Sequence, residues 1–201
     1  MNLQIFLDPP ALENNRIKLL PLQMEHAKDL FQINSLEVWD FMLRKVKEES
    51  DMVENVASKI KLREQMKALP FVVILKDTYE VVGTTSLYEI DVNHKSCELG
   101  ATWYAPAFQR TFVNSDCKYL LLQYCFEELG LVRVQFKTDE RNIRSQKAIE
   151  RLGAVREGIL RNEKILEDGF IRNTVLYSII KDDWSTVKQG FKDREESYIH
   201  S

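Results

Sequence analysis

The segment FQRTFVNSDCK at residues 108–118 joins a strand-like run to a long amphipathic helix. A helix start offers free backbone N–H groups and the positive end of the dipole, so such a junction can hold a phosphate. Close approach of the backbone favours glycine, and here Arg110 and Phe112 stand where glycine would help most. Taken alone, the loop supports two readings. It is an anion cradle whose N–H donors survive any side chain and whose Arg110 can pair with phosphate, or it is an ordinary helix start whose Phe112 fills the core. Further on, Asn142-x-x-Ser145 opens a second helix. Asn142 reads as an N-cap. Ser145 precedes Ala148, Ile149 and Leu152 by three, four and seven residues, which places its hydroxyl on the buried stripe, able to face a cleft. Glu98 lies in an alternating strand with Gly100, Thr102 and Tyr104 on its face. The small neighbours leave room beside the carboxylate, and partial desolvation would raise its pKa as a base requires. The competing reading is a strand-end glutamate on a wet face.

These residues need elements to position them. A strand is expected over 16–22 and a helix over 24–33, after a lead-in of 1–15 in which Pro9-Pro10 block helix. Residues 50–67 read as a helix with a modest apolar face, and 70–90 as two strands about the turn KDTYE. In the strand 96–104, alternation puts Cys97, Leu99, Ala101 and Trp103 on one face and Glu98, Gly100, Thr102 and Tyr104 on the other. The helix after the loop carries Val113, Cys117, Leu120, Leu121, Tyr124 and Cys125 at helical spacing and stops at Gly130. A strand over 131–137 points Val132, Val134 and Phe136 inward, and a helix from about Ile143 to Leu152 ends at Gly153. Residues 154–160 and 172–180 form a closing hairpin with Asp168-Gly169 in its turn. The charged tail from 182 to 201 extends as a loose helix. The order predicts an α+β fold with a mixed sheet, with the domain proper spanning 16–181. No GxGxxG follows the first strand, which disfavours a doubly wound dinucleotide fold.

The chain has 201 residues, 44% hydrophobic and 29% charged, enough for one domain with a real core. A net charge of −3 and a pI near 5.7 give no overall field to collect nucleic acid. No apolar stretch spans a bilayer, and MNLQIFLDPP lacks the cationic start and apolar core of a signal peptide. Three cysteines without framework spacing point to a reducing compartment, and the cytoplasm is expected. Cys97, Cys117 and Cys125 read as small buried hydrophobes, and Tyr124 as packing. No metal is expected, because His26, His94 and His200 are scattered without zinc-ligand spacing.

The run from Leu99 to Gly158, and TDERNIRSQKAIERLGAVREG (138–158) above all, resembles the GNAT acyl-CoA N-acetyltransferases, closest to the branch of ribosomal-protein N-terminal acetyltransferases. The resemblance is loose before residue 70 and close over about 96–180. It implies a GNAT fold whose central sheet splits into a V between the strands at 96–104 and 131–137. It also implies acetyl-CoA in that cleft and direct transfer of acetyl to an amine, on a protein N-terminus or a small molecule. The family's loop, Gln/Arg-x-x-Gly-x-Gly/Ala, falls on Gln109, Arg110, Thr111, Phe112, Val113 and Asn114, with Arg110, Phe112 and Asn114 replacing glycines. By resemblance, backbone N–H groups near Trp103 and Tyr104 hold the pantetheine, Asn142 hydrogen-bonds it, and Ser145 lies near the thiolate as an acid. Glu98 then stands where relatives place a base, and Arg144 and Lys147 fall near the phosphates, though each alone also reads as solvated surface. The resemblance admits a homodimer. The loss of glycines keeps a second reading open, that of a non-catalytic relative binding CoA or another ligand as an interaction module.

Overall fold

The structure is a computed structural model and describes residues 3–199. The elements run α1 (Gln4–Leu7), β1 (Leu12–Glu13), β2 (Ile17–Pro21), α2 (His26–Gln32), α3 (Glu49–Glu64), β3 (Ala68–Leu75), β4 (Val81–Asp91) and β5 (Ser96–Tyr104). They continue with α4 (Phe112–Gln123), β6 (Arg133–Asp139), α5 (Ile143–Arg151), β7 (Val155–Ile165), β8 (Ile171–Ile180) and α6 (Trp184–Ile199). The strands form one open sheet in the order β1-β2-β3-β4-β5-β6-β8-β7. Every neighbouring pair is antiparallel except β5 and β6, which α4 connects as a crossover. This is the mixed α+β sheet expected from the sequence.

Alternation along β3 sends Phe71 and Val73 to one apolar cluster and Val72 to another, so each face of the sheet carries its own core. On the first face lie Val113, Cys117 and Leu121 of α4, Ile149 of α5, and Trp184, Val187 and Phe191 of α6. On the second lie Leu30 of α2, Met52 and Val56 of α3, and Trp39. The first turns of α6 are therefore docked: Trp184 stacks on Phe126 at 5.4 Å and donates its indole N–H to Glu127 at 2.8 Å. Nor is the lead-in wholly irregular, since α1 buries Phe6 and β1 pairs with β2. Asn14 and Arg16 both hydrogen-bond Asp116 of α4, at 2.9 and 2.8 Å, fastening this end to the helix.

Two expectations about side-chain direction fail. Val132 precedes β6 and is exposed, because the chain is still turning out of Gly130, whose φ is +64°. In β5 the strict alternation breaks at Ala101. Thr84 faces Trp103 while Ser86 faces Gly100, so two residues of β5, Ala101 and Thr102, oppose the single Thr85. This bulge shifts the downstream side chains to the opposite faces. Leu99 and Tyr104 share the first core, whereas Trp103 joins the second, 5.3 Å from Trp39. Ala101 is exposed with φ +44°. Beyond the bulge β4 presses closely on β5: a Cβ on Gly83 would lie 2.2 Å from the Trp103 carbonyl, so only glycine fits.

Candidate active site

β5 and β6 pair over three positions only, Ser96 with Arg133, Cys97 with Val134 and Glu98 with Gln135. Past Glu98, β5 continues to Tyr104 on β4, while β6 continues to Asp139 on β8. Between the diverging arms β5 from Leu99 onward has no strand partner on its β6 side.

Glu98 sits at the point of divergence. Its Oε2 lies 3.0 Å from Nζ of Lys137, two residues beyond the last paired position of β6, so the ion pair bridges the fork. Lys137 also reaches Glu89 at 3.3 Å and Glu163 at 3.9 Å. The Glu98 side chain is only 17% exposed. Burial pushes its pKa above the ordinary 4.5, Lys137 draws it back, and Glu89 and Glu163 push it up again. Burial works against the charge on Lys137, but the carboxylates outweigh it and its pKa is raised. A carboxylate so placed is poorly solvated and held beside a cation, which suits a proton acceptor. Gly100 keeps the space beside it, since a Cβ there would lie 3.2 Å from Glu98 Oε1.

Each arm of the V leads into a helix start, α4 after β5 and α5 after β6. Thr111 caps α4, accepting from the Val113 N–H at 3.3 Å and donating to the Phe108 carbonyl at 2.8 Å. The left-handed residue of this loop is Arg110, with φ +62°. Phe112 is instead the first residue of the helix. It does not fill the core: its ring is 38% exposed and lies under the Arg16 guanidinium, 4.7 Å from centroid to Cζ. Val113 takes the buried position and Asn114 is half-buried. Gln109 donates to the Tyr104 carbonyl at 3.2 Å and accepts from Arg144 at 2.8 Å, joining the two helix starts. Asn142 caps α5, its Oδ1 accepting from the Ser145 N–H at 3.0 Å, which leaves its Nδ2 to donate elsewhere. Ser145 is half-buried on the same face as Ala148 and Ile149, and Lys147 is exposed. Trp103 and Tyr104 are buried on opposite sides of β5; the Trp103 carbonyl is turned toward Gly83 of β4, and the Tyr104 carbonyl accepts from Gln109.

Sequence reading missed the partners of Glu98. Arg133, Gln135 and Lys137 alternate with Val134 and Phe136, so a polar face on a central strand was visible, but nothing local joined Lys137 to Glu163 or Glu89. It also missed the cluster just before α5. There the Arg141 guanidinium, paired with Asp139 at 2.7 Å, lies 3.7 Å from the Phe170 ring centroid and 5.8 Å from that of Phe41. This stack ties the loop between α2 and α3 to the β7–β8 turn. Among the described residues no three His, Cys, Asp or Glu side chains gather as a metal site, and no helix is long and apolar enough to cross a membrane. The three cysteines are buried free thiols.

An open, mostly antiparallel sheet that parts beside a helix start is the architecture of an acyl-CoA-dependent acetyltransferase. Residues 16–155 match the Acetyltransferase (GNAT) domain family, and the chain belongs to that family. It is 27% identical over 180 residues to the uncharacterized N-acetyltransferase p20 of Bacillus licheniformis, covering 87% of this chain and 98% of that protein. Over 107 residues it is 32% identical to the "Putative ribosomal N-acetyltransferase YdaF" of Bacillus subtilis, covering 53% and 57%. Its fold matches a GCN5-related N-acetyltransferase from Brucella melitensis at TM-score 0.85 and 24% identity, over 92% of this chain and 85% of that one. The protein is an N-acetyltransferase that uses acetyl-CoA.

Proposed function

We propose that the chain transfers acetyl from acetyl-CoA to a primary amine by direct attack, with Glu98 as the base. The observation that carries this reading is the position of the Glu98 carboxylate, desolvated and bridged to Lys137 where β5 and β6 part. The neutral amine attacks the thioester carbonyl carbon, the C–S bond breaks, and the nitrogen's proton passes to Glu98 directly or through one water. The departing thiolate takes a proton from a donor near Ser145. Backbone N–H groups around Trp103 and Tyr104 hold the pantetheine and polarise the carbonyl, and Asn142 Nδ2 adds a donor. The pyrophosphate lies at the α4 start, against the backbone of Thr111 to Asn114, with Arg110, Arg144 and Lys147 supplying positive charge.

The acceptor is a protein N-terminus or a small amine. YdaF's name makes a ribosomal protein one candidate for the first. The buried free thiols support a cytoplasmic setting.

Turnover of acetyl-CoA, followed by thiol release against peptides with free N-termini and a panel of small amines, tests the reading. Glu98→Gln should lower kcat at least tenfold with acetyl-CoA affinity unchanged. An undiminished rate removes Glu98 from the mechanism, and absence of acetyl-CoA binding at millimolar ligand removes the cofactor assignment.

A further inference from the structure

Beneath the β5 bulge lies a lysine that the chemistry above does not use. Lys118 of α4 is 7% exposed, and its Nζ donates to the Thr102 hydroxyl at 2.7 Å. Thr102 Oγ1 is also 2.7 Å from Thr85 Oγ1 and 3.4 Å from the Gly100 carbonyl. Among the described residues Lys118 makes no ion pair, and Asp116 of the same helix turn pairs with Arg16 and Asn14 instead. Burying an ammonium against hydroxyls alone is costly, and a methionine would fill the same space without that cost. Its pKa falls to about 8, through burial.

The contact falls on the one stretch of β5 whose backbone needs help. Ala101 holds a left-handed φ of +44°, and a non-glycine residue stays there only where its surroundings over-determine it. Thr102 is the other half of the bulge and sits opposite Thr85. By accepting from Lys118, its oxygen leaves its own proton free for Thr85 or for the Gly100 carbonyl across Ala101. Lys118, Thr85 and Thr102 together fix the bulge on the first face of the sheet, just before the stretch at Trp103 and Tyr104 that has no strand partner on its β6 side.

The geometry points to Lys118 as a positioning residue that holds the β5 bulge, through Thr102, in the form that receives acetyl-CoA. This rests on the reading that the cofactor lies along the open arm of β5. The fold supplies its own control in Lys59 of α3. That lysine is equally buried, at 6% exposed, but it donates to Thr84 at 2.9 Å and makes no contact with Thr102.

Calorimetric titration of acetyl-CoA into the full chain and into Lys118→Met, Thr102→Val, their double variant and Lys59→Met tests the assignment, with thermal melts confirming folding. Lys118→Met and Thr102→Val should each raise Kd roughly tenfold, the loss expected for one charge-assisted hydrogen bond. The double variant should be no weaker than either single one, Lys59→Met should stay within twofold of wild type, and kcat at saturation should fall less than threefold. An unchanged Kd in Lys118→Met, additive losses in the double variant, or an equal loss in Lys59→Met would overturn it. If the wild-type chain itself fails to bind acetyl-CoA, the cofactor reading fails first and this assignment falls with it.

Discussion

Arg144 donates to the Gln109 side chain at 2.8 Å, and Gln109 donates in turn to the Tyr104 carbonyl at 3.2 Å. One glutamine thus joins the end of β5 to the first turn of α5, across the mouth of the V. The contact fixes the spacing of two helix starts and holds a guanidinium beside the one that would receive pyrophosphate. Arg144→Met should weaken acetyl-CoA binding roughly tenfold. It should also flatten the salt dependence, since one fewer cation then faces the phosphates. Titration at two ionic strengths measures both. Equal affinity in wild type and variant would reduce the bridge to a surface contact.

The pH behaviour follows from the Glu98 cluster. Glu98 has a pKa above its ordinary 4.5, first from burial, and the base role proposed for it requires ionisation, so kcat/KM should fall as pH drops through that raised value. Lys137 holds the value down. Lys137→Met should therefore move the acid limb to higher pH, while Glu98→Gln should abolish it along with most of the rate. The stability sign runs against the usual carboxylate case. A raised folded pKa means the folded chain binds this proton more tightly than the unfolded chain, so Glu98's contribution is fully present below 4.5 and is lost as pH rises through the folded value. Urea melts of Glu98→Gln against wild type should show the variant losing less stability over that window. A Lys137→Met profile with its acid limb unmoved would refute the coupling.

Gly83 marks a close approach of β4 to β5. A methyl group there meets the Trp103 carbonyl at 2.2 Å and the Tyr104 Cα at 2.9 Å, both backbone atoms that yield only if β5 moves. Gly83→Ala should cost about 2 to 4 kcal/mol in chemical denaturation, at the upper end of overpacking. Because the displaced segment is the open arm of the V, acetyl-CoA affinity should drop with it. A variant of wild-type stability would show that the arm slides freely.

Sequence periodicity was enough for the longer elements, which repeat their apolar residues at their own period, but not for the short α1 and β1 of the lead-in, which hold too few residues to show one. The strand 96–104 is recovered to the residue, and Asn142 caps α5 as its type and position suggest. Periodicity could not show the bulge. Alternation assumes one residue per register step, and nothing in Gly100-Ala101-Thr102 announces that two residues face Thr85. Glu98 was legible as a carboxylate with small neighbours, but its ion pair depends on how far β6 runs beside β5 before they part. Lys118 was hidden for the same reason: a lysine on an amphipathic helix reads as surface until its partner on the sheet is known.

The glycine-poor loop raises the sharpest question about cofactor access, and its backbone supplies the answer to test. The left-handed φ belongs to Arg110, while Phe112 stands in the helix with its ring turned onto Arg16. The left-handed strain of the loop therefore falls on Arg110, and the Phe112 ring is occupied with Arg16. Phe112→Ala should keep acetyl-CoA affinity within twofold of wild type and lose about 0.5 to 1 kcal/mol of stability with the cation–π contact. Arg110→Gly should gain about 0.5 to 1 kcal/mol by relieving the left-handed backbone. Calorimetry and urea melts on the two variants separate these effects. If Phe112→Ala instead tightened binding tenfold or more, the ring would be an obstruction at the phosphate site, and the lost glycines would have weakened the cofactor loop after all.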